Sequence, residues 1–108
     1  MDHDSLALIE KATKERIVCR ACFTGEEEAR IVHPYGIFRT QKDVFMIACW
    51  QESGYSSKSS GLVQGFRNFG VNDCEYVELL DRKFLIARQF NPEASIYFQW
   101  VFHVSMES

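Results

Sequence analysis

The stretch Gly65-Phe66-Arg67-Asn68-Phe69 holds the residue types best suited to binding. In an extended strand alternate side chains point the same way. Arg67 and Phe69 therefore share one face, about 7 Å apart at the rise of a strand. A guanidinium fork grips carboxylate or phosphate. A phenyl plate stacks on a flat ring or a base. The plainer reading of the same pair is a surface arginine beside a core phenylalanine.

Four other residues could join such a site. Arg30, which alternates with Val32, reads equally as a ligand contact or as the ion-pair partner of the acidic turn Glu26-Glu27-Glu28. Tyr35 follows Pro34, which restrains the local backbone and leaves the hydroxyl placed to donate, or the ring to pack at a rim. His33 alternates with Tyr35 and shares its face. An imidazole there could bind an anion or titrate near neutrality, or serve as a structural histidine. Arg20 sits between Cys19 and Ala21; if those two and Phe23 face the core, Arg20 faces a pocket or solvent. Arg39, near a hairpin end, reads as a solvated residue, and Trp50 as core or rim.

Enzyme chemistry has little footing. There is no Gly-rich phosphate loop and no recognisable pairing of nucleophile and base. Cys49 and His33 could be paired only by a fold contact that the sequence does not state. Cys19-x-x-Cys22 is half of a zinc pattern with no second pair, and in a strand positions i and i+3 face opposite sides. Neither a metal nor a cofactor is expected.

The elements that must position these residues follow from pattern and composition. A chain of 108 residues is enough for one domain with one core. Hydrophobic residues make up 46%, which argues against disorder. Nine phenylalanines, four tyrosines and two tryptophans supply an unusually aromatic core. The net charge of −3 argues against a general nucleic-acid coat protein. Charge is uneven, however. Between Arg16 and Asn72 seven basic residues stand against five acidic ones, three of them crowded at Glu26–Glu28. The rest of that segment could present a locally positive surface. No signal peptide is visible and no apolar run is long enough to span a membrane. The four cysteines are then expected to stay reduced, in a cytoplasm.

Residues 5–16 read as a helix, capped by Ser5 and striped by Leu6, Leu8, Ile9 and Ala12. Strands are expected at 17–23, at 29–33 ended by Pro34, at 36–39, and at 44–50. Residues 52–61, rich in Ser and Gly, read as a loop. Further strands are expected at 62–71 and 76–80, with a turn at Asn72-Asp73. Near the C-terminus Asn91-Pro92-Glu93 starts like a helix, but residues 96–104 are rich in strand formers. One helical turn and then a strand is the expectation. That strand is apolar on both faces, so it must be covered or belong to an interface. One helix followed by short, tightly connected strands implies a mainly β fold, a small β-barrel that removes exposed edges.

The order of these pieces resembles the WYL domain family of bacterial regulators, over about residues 5–84. The resemblance is carried by Ala29-Arg30-Ile31-Val32-His33-Pro34-Tyr35-Gly36, by the strand Val44-Phe45-Met46-Ile47-Ala48, by Arg67-Asn68-Phe69, and by Val77-Glu78-Leu79-Leu80-Asp81-x-x-Phe84. Val44-Phe45-Met46 replaces the tripeptide that names the family. Asn72 and Asp73 stand where the family often carries an acid and a second arginine. The resemblance implies an Sm-like or SH3-like barrel and a non-enzymatic, ligand-sensing role in transcription regulation. The implied ligand is an anionic small molecule, a nucleotide or single-stranded nucleic acid. Arg20, Arg30, His33, Tyr35, Arg67 and Phe69 are the candidate ligand-binding residues. The missing second arginine implies a weaker or different ligand than the family's nucleic-acid binders take. The length leaves no room for a winged helix, so a standalone protein or an excised domain is expected. A protein-interaction or homo-oligomerisation module using the apolar C-terminal segment is the alternative.

Overall fold

A computed structural model describes residues 3–55 and 64–105. It contains one helix and six antiparallel strands: α1 His3–Glu15, β1 Ile17–Phe23, β2 Arg30–Arg39, β3 Phe45–Gly54, β4 Gly65–Gly70, β5 Cys74–Lys83 and β6 Gln99–His103. The mainly β architecture with an N-terminal helix is the one expected from the sequence. The strand order is β4-β3-β2-β1-β5, with β6 on β2. The sheet curls into a barrel-like body, 32 × 31 × 30 Å, but does not close. Contrary to the expectation of a fully closed barrel, β4 and β5 remain edges. Their chain connection is the single turn of 3-10 helix Val71–Asp73, and Thr24 N–H donates to the Asp73 carbonyl at 2.8 Å.

Alternation sorts the side chains onto two covered faces. On the inner face Cys19, Ala21 and Phe23 of β1 meet Val32, Ile37, Ile47, Cys49 and Val77, and Ile9 and Ala12 of α1 pack against them. On the outer face Val18, Tyr35, Phe38 and Ala48 are buried under Phe84, Phe90 and Val104 of the C-terminal segment. That segment was expected to be covered or to belong to an interface. It supplies the second core, because residues 84–104 carry the aromatic rings that cover the outer face.

Several expected boundaries shift for identifiable reasons. Pro34 does not end a strand: β2 runs through it unbroken. Proline lacks the N–H that a ladder position needs, and bulges tolerate this. Here Pro34 pairs with Cys49 and Gly36 with Ala48, so Tyr35 is the extra residue. The bulge resets the alternation, leaving Tyr35 outward but Ile37 inward. At Gly36, φ is 150° and an added Cβ would lie 2.2 Å from the Phe102 carbonyl oxygen. Glycine there lets β6 approach β2. β3 extends to Gly54, past the expected loop start at Glu52; the loop at 56–61 and the strand start at 62–63 lie outside the described residues. Residues 91–96 form consecutive turns, not a helical turn leading into a long strand, and only 99–103 are strand. The Asn91 side chain draws the chain into an Asx turn by accepting from the Glu93 N–H at 3.0 Å.

The joint between α1 and β1 is a left-handed residue, Arg16, with φ 57°. Its carbonyl accepts from Phe84 N–H at 2.9 Å and its guanidinium donates to the Ser105 carbonyl at 2.7 Å. These bonds tie the helix end to both ends of the C-terminal segment.

Candidate functional site

Among the described residues β4 pairs only with β3, placing Arg67 opposite Cys49 and Phe69 opposite Ile47. Both partners face the inner core, so Arg67 and Phe69 share a face as alternation requires. Phe66 lies on the opposite face, against Trp50 at 5.0 Å. The Phe69 ring is not a free platform. It stacks on Phe23 with centroids 4.2 Å apart, and the Arg30 guanidinium carbon sits 4.7 Å above it. Phe69 is thus packed as part of the core edge.

Arg30 is 5% exposed. Its Nε and Nη2 donate to the two oxygens of Glu26 at 2.8 and 2.7 Å. Its Nη1 donates to Gln51 Oε1 at 2.6 Å. Gln51 in turn donates to the carbonyls of Ser53 and Tyr55, at 3.2 and 2.7 Å. Tyr55 presents its ring to the same guanidinium at 5.2 Å. Of the two readings of Arg30, the ion pair with the acidic turn is the one the geometry realises. A charge this buried requires a partner and satisfied donors, and Glu26 and Gln51 supply them. Arg30 therefore holds the site together and does not stand ready for a ligand.

Arg67 is half-buried, with Nη1 donating to the Phe66 carbonyl at 2.8 Å. Its guanidinium lies over Gly65, where a Cβ would meet it at 2.9 Å. Arg30 and Arg67 both act on the thiol of Cys49. Burial pushes that thiol up to about 12, and the two guanidiniums oppose the shift. Arg30 and Glu26 thus meet beside Phe69 and Tyr55, and Arg67 faces Cys49 from the same edge strand.

The other three candidates lie elsewhere, so the six do not converge on one pocket. Arg20 points outward, as alternation from Cys19 and Ala21 requires, and pairs with Glu78 across β1 and β5 at 2.9 Å. Tyr35 is 1% exposed and its hydroxyl accepts from Ala87 N–H at 2.9 Å. Its hydroxyl serves the fold, fixing the C-terminal segment on the outer face. His33 shares that face, as expected, and stacks on Phe84 with centroids 4.8 Å apart. Its Nε2 lies 2.9 Å from Glu52 Oε2. Glu52 is also gripped by Arg82 at 2.8 and 3.0 Å. Those bonds, Arg82 first and His33 second, hold the Glu52 carboxyl down at about 2.

Sequence reasoning missed Gln51, Tyr55, Glu52 and Arg82. Nothing local marks Arg82 as the partner of Glu52, thirty positions away. The acidic turn had been named as the ion-pair partner of Arg30, and Glu26, four residues before it, is the member that pairs. The cysteines split as strand geometry demands, with Cys19 in the inner core and Cys22 on the other side of β1. All four are free thiols. Burial pushes Cys19 up to about 12, with Cys74 nearby adding to the effect. Among the described residues no group of three or more His, Cys, Asp or Glu is placed to hold a metal ion. No described helix is long and apolar enough to cross a membrane. The void inside the inner core is about 10 Å³, too small to seat a ligand. Comparison with protein-family models, with curated proteins and with solved structures found no match.

Proposed function

We propose that this chain is a non-enzymatic, ligand-sensing regulatory domain of the WYL kind, taking an anionic, nucleotide-like or nucleic-acid ligand at the inner face of β4. The observation that carries this reading is that, among the described residues, the guanidiniums of Arg30 and Arg67 both act on Cys49 while Glu26 is the one carboxylate bonded to Arg30. Arg67 is the binding group. Arg30 is a positioning residue that fixes Phe69 and Tyr55. The filled barrel interior favours approach from the open edge of the sheet. Burial pushes the Cys19 and Cys49 thiols up to about 12, which makes those two poor nucleophiles near neutrality. Four free thiols support a reducing compartment such as the cytoplasm. Titration of mononucleotides and of short single-stranded DNA and RNA tests the reading. Wild type should bind at least one of them, with affinity falling as salt rises, and Arg67→Ala should weaken binding about tenfold or more. Absence of binding by wild type would remove this ligand class.

A second reading, a homo-oligomerisation module, is favoured by one feature. β6 bonds to β2 on one side only among the described residues, and Ile96, Phe98 and Val101 near it are each more than half exposed. An unpaired edge is a template for another strand. Sedimentation of the full chain over a range of concentrations, with Val101→Lys as the variant, decides it. A monomer at every concentration rules this reading out.

A further inference from the structure

The outer face holds a separate feature. A cleft of about 200 Å³ opens between β4 and the segment following β5, lined by Phe66, Gln89, Phe90, Asn91, Ala94 and Tyr97. Three of these are aromatic and none is charged. Phe66 is 39% exposed. It is held from behind by Trp50 and by Tyr35, whose centroids are 5.0 and 6.2 Å away. Phe90 lies 6.4 Å from Phe66, tilted by 32°, and Tyr97 lies 5.9 Å from Phe90. The Asn91 side-chain oxygen accepts from Glu93 N–H, and its amide NH₂ is a donor. Gln89 is exposed and carries both a donor and an acceptor. Burial raises the Tyr97 phenol, so it remains a neutral hydroxyl.

We propose that this cleft binds the uncharged planar ring of a heteroaromatic molecule, with Phe66 as the stacking face and Gln89 and Asn91 reading the ring edge. The size is decisive on one side: drug-sized ligands occupy pockets of about 300–1,000 Å³, so this one admits a single ring system. The chemistry is decisive on the other. A side-chain amide matches the paired donor and acceptor on the edge of adenine, and an aromatic face stacks on any base. Among the described residues the walls carry no charge, so they offer a phosphate no partner. The cleft is on the opposite face of β4 from Arg67, so this site does not depend on the function proposed above.

Adenosine is the probe. The chain's two tryptophans report on the cleft, since Trp50 abuts Phe66 and Trp100 lies 4.5 Å from Tyr97. Tryptophan emission should change saturably with adenosine and not with ribose. Phe66→Ala should weaken binding about tenfold or more. Gln89→Ala, at an exposed position that leaves the fold intact, should weaken it several-fold, and Arg67→Ala should leave it unchanged. No saturable response in wild type overturns the proposal, as does an equal response to ribose. Wild-type affinity in both Phe66→Ala and Gln89→Ala overturns it too, as does loss of adenosine binding in Arg67→Ala. Binding of adenosine but of no anionic nucleotide would leave this cleft standing and the Arg67 reading refuted.

Discussion

Glu26→Gln isolates the charge that holds the candidate site together. The substitution keeps the side chain's shape and one acceptor, but removes the negative charge and turns the second acceptor toward Arg30 into an NH₂ donor. The pair it breaks is well buried, with side-chain exposures of 6% for Arg30 and 16% for Glu26. Removing one partner of a buried ion pair costs about 3–5 kcal/mol, because the other charge stays desolvated. Here Gln51 and the rings of Phe69 and Tyr55 still attend the guanidinium. The low end, about 3 kcal/mol, is therefore expected. For a domain of this size that is a fall in Tm of about 10–15 °C, and a large part of a total stability of about 5–15 kcal/mol. Glu78→Gln is the internal control. Its partner Arg20 and Glu78 itself are 50% and 42% exposed, and such pairs contribute at most about 1 kcal/mol. Urea unfolding of both variants measures the difference. A second readout follows from the proposed function: with Glu26 neutral, Arg30 is uncompensated and anion affinity at the β4 face should rise. If Glu26→Gln is no more destabilising than Glu78→Gln, Arg30 is not the buried anchor of this site.

Two further outcomes are expected. The Glu52 carboxyl, held at about 2 by Arg82 and His33, lies below its ordinary 4.5. A depressed carboxyl stabilises the fold fully above its unfolded value and loses that contribution as pH falls toward the folded one. The stability gap between wild type and Glu52→Gln should therefore be constant above about pH 5 and shrink as pH falls from 4.5 towards 2; a gap that persists at pH 2 would contradict it. Gly36→Ala would drive a methyl against the Phe102 carbonyl and the Trp100 ring, at 2.2 and 2.9 Å. A cost of about 1–3 kcal/mol and a changed near-UV dichroism of Trp100 are expected, whereas an unchanged spectrum and Tm would mean β6 is not seated on Gly36.

The strand faces were legible because alternation is a local rule. Cys19 and Ala21 inward with Arg20 outward, and Arg67 beside Phe69, follow from the strand pleat alone. The rule failed where the chain inserts a residue. The bulge at Tyr35 reverses the phase of β2, and no local pattern marks it other than Pro34 and Gly36. Pro34 was read as a strand end because a missing N–H usually ends a ladder. The helix, the mainly β class and the apolar load of the C-terminal segment were likewise open to inspection. That this segment wraps back to build a second core was not, since its partners Val18, Tyr35 and Phe38 lie some fifty to eighty positions away.

The same distinction governs the candidate site. Alternation determined that Arg67 shares a face with Phe69, and Arg30 with Val32; that β3 lies between β2 and β4 and so brings Arg30 over Phe69 was decided by the sheet order. Only the tertiary structure decided what each does there. Arg30 is enclosed by Glu26 and Gln51, and Phe69 is packed by Phe23. Tyr35 is closed by Ala87, and His33 is drawn to Glu52 and Phe84. A charged or aromatic group carries the same chemistry in either setting. Whether it faces a ligand or a neighbour depends on desolvation and on partners brought from distant strands, and the packed fold alone sets both.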